Sequence, residues 1–167
     1  FHRCRPRAKA GVLSILLLAL LDIGFRAVLF YRLAHACRLG RLFVLAGILD
    51  RLGLQINHCS ISSTASIGPG FRIAHVGGIV IGGKTVIGAN CDIRQNTTLG
   101  GNAGKRREDD PEWTQPRLGD NVSVGCHAVI LGPVRVADGT MIGACALVIS
   151  DIDVAGSYGG NPARRLR

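Results

Sequence analysis

An all-β parallel solenoid is the fold class this chain predicts, and three observations predict it. Seven aliphatic residues stand at an unbroken spacing of six: Leu118, Val124, Ile130, Val136, Ile142, Val148 and Val154. Two further runs keep the same interval, Ile81, Ile87, Ile93, Leu99 and Ile61, Ile67, Ile73, Ile79. Gly often follows directly, as in Ile67-Gly68, Leu99-Gly100, Leu118-Gly119, Val124-Gly125 and Ile142-Gly143. A spacing of six fits neither the helical repeat of about 3.6 residues nor the strand repeat of about 2. It is the hexapeptide repeat of a β-helix, where about three hexads close one triangular coil around an aliphatic core.

The chain divides at the ends of this pattern. Residues 1–56 form a basic, apolar segment that predicts short helices. Within it, residues 11–21 are strongly apolar, but Asp22 and Arg26 interrupt them. That run is shorter than the roughly 20 residues a membrane-crossing helix needs. It has the length of a signal-peptide core, but no small-x-small cleavage site follows. Residues 25–54 mix Leu, Val and Phe with Arg26, Arg32, His35, Arg38 and Arg41. Helices of that composition lie in a membrane interface; the alternative is a helical pair that only caps the solenoid. Residues 57–157 carry the coils, beginning near Ser60, and residues 158–167 read as an irregular tail.

Two breaks interrupt the period. Ile73 and Ile81 are eight apart, which places two extra residues around His75-Val76-Gly77-Gly78. Between Leu99 and Leu118 the hexads stop, and residues 100–117 must leave the solenoid as a loop. Long loops on rigid scaffolds often carry function.

The formal net charge of +9 sits mostly outside the repeat. Arg3, Arg5, Arg7 and Lys9 open the chain; Arg164, Arg165 and Arg167 close it. Basic ends around a nearly neutral middle suit an anionic membrane surface or a phosphate-bearing cofactor. Nucleic acid is not expected, for no aromatic interleaving or nucleic-acid motif accompanies the charge. The six cysteines (4, 37, 59, 91, 126 and 145) have no CxxC or metal-ligand spacing. They read as reduced thiols of a cytoplasmic protein, with Cys91, Cys126 and Cys145 as small buried residues of the coils.

Four strings resemble the left-handed β-helix acyltransferases, in particular the serine acetyltransferase branch. They are Ala74-His75-Val76-Gly77-Gly78-Ile79-Val80-Ile81-Gly82, Thr97-Thr98-Leu99-Gly100-Gly101, Ile130-Leu131-Gly132 and Gly160-Asn161-Pro162-Ala163-Arg164. The resemblance implies a left-handed β-helix of about five coils, acetyl-CoA as cosubstrate, no metal, and a homotrimer whose sites lie between neighbouring prisms. It also implies that His75 is the general base. The chemistry asks for one: a hydroxyl must lose its proton as it attacks a thioester, and imidazole accepts protons near neutral pH.

By position, Gly101, Lys105, Cys126, Ala144, Asn161, Pro162, Ala163 and Arg164 are the implied acetyl-CoA contacts. Ser60, Asn96, Trp113 and Gln115 are the candidates for the acceptor site, Trp113 either as a stacking surface or as a loop anchor packed on the solenoid. His127 reads as a surface or wall histidine near the cofactor cleft.

The chain departs from the serine acetyltransferase pattern at several charged positions. Ser60 and Ala74 stand where that family has Asp, and Thr114-Gln115 where it has Arg-His. An unpartnered buried charge is costly, so these departures predict a neutral acceptor. Tyr31-Arg32-Leu33-Ala34-His35 ahead of the coils resembles the exopolysaccharide acetyltransferases, including the colanic-acid type. The expectation is O-acetylation of a sugar or lipid-linked glycan at the inner face of the cytoplasmic membrane; the alternative is serine O-acetylation in cysteine biosynthesis. A catalytically silent scaffold, or a carbonic-anhydrase-like metal protein, is a rival of another class. The metal version lacks its three histidines, because only His75 and His127 lie within the coils, with His58 just before them.

Overall fold

The computed structural model describes residue 11 and residues 18–166. The basic start and most of the apolar run 11–21 lie outside the described residues. Among the described residues, a helical stretch at 18–21 is followed by the helices α1 (Ile23–Leu39) and α2 (Phe43–Asn57) and then by a left-handed parallel β-solenoid of about five coils.

The hexad spacing explains the solenoid directly. Each aliphatic residue of the runs except Val154 falls on a short strand, and three stacks of strands form the three faces of a prism. The first face stacks Cys59–Ile61, Ile79–Ile81, Thr98–Gly100, Val129–Leu131 and Leu147–Val148. Regular coils repeat every 18 residues, as in Val80 beside Thr98 and Val129 beside Leu147. The aliphatic positions from Ile61 to Val148 are buried, and Ile93, Leu99, Val124 and Ile130 are fully enclosed. The residue two positions earlier also turns inward in most hexads, and there it is often small or Thr: Ala65, Thr85, Cys91, Thr97, Ala128, Ala146.

Three register changes measure the breaks. Cys59 pairs with Ile79, an interval of 20, so the two extra residues sit in the first coil. Thr98 pairs with Val129, an interval of 31, so the loop is ejected from the third. Met141 pairs with Ser157, an interval of only 16. That shortening corrects the hexad reading at its end. Val154, seventh in the run, is exposed, and Ile152 enters the core beside Val136 instead.

The ends differ from expectation too. The helical segment runs through Asn57, and the first strand starts at Cys59. The tail is not irregular: Ser157–Gly159 extends one face and Arg164–Arg165 folds back antiparallel onto it. Such a return strand covers the last coil's open edge.

Polar contacts fasten the helices to the first coil. Asp22 caps α1 by accepting from Phe25 N at 2.9 Å. Buried Tyr31 donates to Ala65 O and accepts from Ile67 N. Burial raises the pKa of its phenol above the ordinary value. Arg32 donates to Ile67 O and Gly68 O, and His35 Nδ1 lies 2.9 Å from Ser63 O. The Tyr31-Arg32-His35 string therefore has a packing role that explains it without reference to any acceptor.

Candidate active site

His75 lies in the two-residue insertion of the first coil, just before the strand Ile79–Ile81, and its side chain is exposed. Among the described residues no hydrogen bond reaches its imidazole. The insertion lets the chain bulge outward, which a regular coil would not allow.

The corner that leads into the first face builds the surroundings of this loop. Gly78, Asn96, His127 and Cys145 occupy equivalent places in successive coils, each with positive φ. Their backbones are stepped by Asn96 N to Gly77 O, His127 N to Gln95 O and Cys145 N to Cys126 O. Gly78 has φ +63°, and a Cβ there would come within hard-contact distance of Asn96 Oδ1. The missing side chain thus lets the Asn96 amide lie down over the His75 loop. The same amide meets His127 Nε2 at 3.2 Å. One column therefore joins the His75 loop, Asn96 and His127.

Cys126 and Ala144 lie beside this column in successive coils. This corrects one expectation about the thiols: Cys91 is buried, but Cys126 is half-buried and Cys145 exposed at the corner. The Asn161–Ala163 turn closes over the end, with Leu147 N donating to Gly160 O and Ala163 N to Leu147 O. Arg164 and Arg165 follow it on the surface. Six of the residues sought along the cofactor path thus share one edge of the prism: Cys126, Ala144, Asn161, Pro162, Ala163 and Arg164.

Asn96 apart, the acceptor candidates and the other two cofactor candidates do not. The first face is left through Gly82, Gly101 and Gly132, and the ejected loop departs from that opposite edge. Gln115 lies flat there: a Cβ at Gly82 would be 2.7 Å from its Oε1, and one at Gly101 3.0 Å from its Nε2. Gln115 Oε1 is buried without a hydrogen-bond partner among the described residues, as is Gln95 Oε1. Lys105 and Gly101 are exposed on the loop side. Ser60 stands on the outward face of the first strand, in register with Val80.

Trp113 is corrected from ligand platform to loop anchor. Arg107 and Arg117 stack on its ring at 4.4 and 4.2 Å from the centroid, and its Nε1 donates to Gln115 O at 2.7 Å. With the indole buried among these contacts, no open face remains for a sugar. Carboxylates hold the arginines, Asp110 of the loop on Arg117, and Asp109 of the loop with Asp151 of the last coil on Arg107. Burial would raise the pKa of Asp151. The Arg107 guanidinium and the Arg135 N–H outweigh it and hold the carboxyl below its ordinary range. Sequence reasoning missed these arginines, because nothing in their spacing announces a stack on one indole.

A hexapeptide-repeat prism carrying an exposed histidine at a break in its coils defines the class: a hexapeptide-repeat solenoid of the transferase type. Residues 115–150 match the family model described as bacterial transferase hexapeptide (six repeats). The chain is 39% identical over 150 residues to a serine acetyltransferase of Helicobacter pylori, covering 88% of this chain and 83% of that protein. A serine acetyltransferase of Synechococcus elongatus is 34% identical over 84% of this chain and 56% of its own length. Among solved structures, soybean serine acetyltransferase complexed with serine matches with a TM-score of 0.81 and 34% identity, over 97% of this chain and 64% of that one. The serine acetyltransferase of Neisseria gonorrhoeae in complex with serine matches at 0.80 and 31%, over 95% and 62%. The chain belongs to the serine acetyltransferase family. It spans less than two thirds of the length of these two solved structures.

These relatives overturn the expectation of a sugar acceptor and of a place in polysaccharide synthesis. The charged residues at positions 60, 74, 114 and 115 are still missing. A zwitterion, however, can be held by charge-assisted hydrogen bonds from neutral amides and backbone groups. Gln115 Oε1 and Gln95 Oε1 are two neutral acceptors left without a hydrogen-bond partner among the described residues.

Proposed function

We propose that this chain transfers the acetyl group of acetyl-CoA to the hydroxyl of serine, with His75 as general base. The observation that carries the reading is the position of His75. It is exposed, lies at the coil's outward bulge, and joins through Gly78 and Asn96 the edge formed by Cys126, Ala144 and the Asn161–Ala163 turn. The small residues of that edge let a thin pantetheine arm lie against the coil, and Arg164 suits its phosphates.

In the reaction the serine oxygen attacks the thioester carbonyl carbon while His75 takes its proton. The carbon–sulfur bond then breaks, and the proton passes to the departing CoA sulfur. Backbone N–H groups along the edge are suited to the developing oxyanion. No acyl-enzyme is needed, so the cysteines have no nucleophilic part.

Gln115 and the ejected loop stand on the opposite edge of the first face, away from His75. A homotrimer that sets this edge of one copy beside the His75 edge of the next brings both to one site. Rotation of the Gln115 amide then turns its unpartnered Oε1 from the buried position it holds in the single chain to accept from the serine ammonium.

Release of CoA is the assay, with serine present or absent and with His75→Ala alongside. Serine-dependent turnover is expected to fall by roughly 10²–10⁴-fold in the variant, with its thermal unfolding unchanged. Full activity in His75→Ala, or turnover indifferent to serine, overturns the reading. Gln115→Ala is expected to raise KM for serine more than it lowers kcat. Sedimentation analysis should return three copies.

A further inference from the structure

Helix α2 is built inside out. Its buried seam is Ala46, Gly53 and Asn57, residues with little or no apolar bulk. Gly53 lets Phe30 of α1 approach, with a Cβ there only 3.3 Å from Phe30 Cβ. Asn57 accepts from Arg26 Nε and donates to Gly53 O. Asp50, the one acid in α2, turns towards the solenoid, where its Oδ2 accepts from Ser63 N and Oγ. The large apolar side chains face the other way. Phe43 is 58% exposed, Val44 80% and Ile48 50%, and Leu45, Leu52 and Ile56 continue the surface along the helix. A folded chain does not ordinarily leave so continuous an apolar face bare.

The exposed charges of α2, of its connection to α1 and of the adjoining end of α1 are all of one sign. Arg38, Arg41 and Arg51 are exposed on α1, its connection and α2. Among the described residues none of them forms a salt bridge. No helix among those residues is long and apolar enough to cross a membrane. Apolar side chains in the middle, arginines at the margin and no outward carboxylate form the pattern of a helix lying in the plane of a lipid interface. A second copy of this face is a poor occupant, because pairing would bring these arginines together with no carboxylate to offset them.

We propose that the outward face of α2 docks on an anionic lipid bilayer. Phe43, Val44, Ile48 and Leu52 enter the acyl boundary, while Arg38, Arg41 and Arg51 meet the lipid phosphates. Because α1 and α2 cap the first coil, docking would hold the solenoid by one end.

Co-sedimentation of the full chain with vesicles tests this, using phosphatidylcholine alone against phosphatidylcholine mixed with phosphatidylglycerol. Binding to the anionic vesicles is expected to exceed neutral binding by at least about tenfold and to weaken with salt. Ile48→Asp with Leu52→Asp should abolish it. Arg41→Glu with Arg51→Glu, a pair that removes no apolar contact, should reduce it by about tenfold or more. Acetyl transfer to serine in solution should be unchanged in both pairs, which separates this result from the acceptor reading. Equal binding to both vesicle types, or anionic binding untouched by both pairs, overturns the proposal. So does a particle mass in lipid-free solution that falls to a fraction in Ile48→Asp, because the face then covers a second copy.

Discussion

The coils and the helix that caps them treat the same kind of residue in opposite ways. Ile93 in the second coil is fully buried, whereas Ile48 on α2 stands half exposed. Both segments are rich in Ile, Leu and Val, so composition does not separate them. The solenoid spends its aliphatic residues on a shared interior, each coil covering the next. Helix α2 instead meets its neighbours through small and polar groups and leaves its apolar bulk outside. Apolar content therefore reports two purposes in this molecule, and only the direction of each side chain tells them apart.

Substitutions at matched positions test the contrast. Ile93→Ala should cost the most, about 2–5 kcal/mol, because the prism interior has no way to collapse around the void; thermal or denaturant unfolding reads it. Asn57→Ala should cost about 1–3 kcal/mol, since it strands Arg26 and breaks the polar seam of α2. A loss near zero would mean that the helices are held by Tyr31 and Arg32 alone.

The Arg107–Asp151 pair that steadies the loop should contribute less, because both partners remain partly in water. The folded pKa of Asp151 lies below its ordinary 3.8, so this contribution is present above that value and is lost as pH falls through the lower, folded value. The emission of Trp113, the only Trp, should shift over that acid range, and Asp151→Asn should remove the pH dependence. Ile48→Ser should change stability least, within about 0.5 kcal/mol. A loss comparable to that of Ile93→Ala would show that the face of α2 is covered in the folded protein after all.

Much of this architecture was legible in the chain, because a solenoid repeats its burial rule locally. Ile81, Ile87 and Ile93 each announce a strand, and an interval of eight beside His75 announces the bulge. The rule failed where coil length changed without a visible gap. Val154 keeps the spacing but falls outside, since the last coil is two residues short and Ile152 takes its place. The seam of α2 left a fainter trace, Ala46 and Gly53 seven apart with Asn57 beyond, which periodicity of large apolar residues does not register. Trp113 was readable as either platform or anchor, and only its two arginine neighbours decide. The missing charges at positions 60, 74, 114 and 115 suggest a neutral acceptor, but they do not exclude a zwitterion, which neutral amides and backbone groups can also hold.

The sequence by itself determined the solenoid, the place of its two main breaks and the histidine at one of them. Each of these rests on spacing along the chain, which a repeating coil converts directly into position. Only the tertiary structure decided that Gly78 makes room for Asn96 beside His127, that Gln115 lies on the opposite edge from His75, and that α2 turns its apolar face outward. These depend on which side chains from distant coils and helices come to share a corner, and no interval within one segment encodes that.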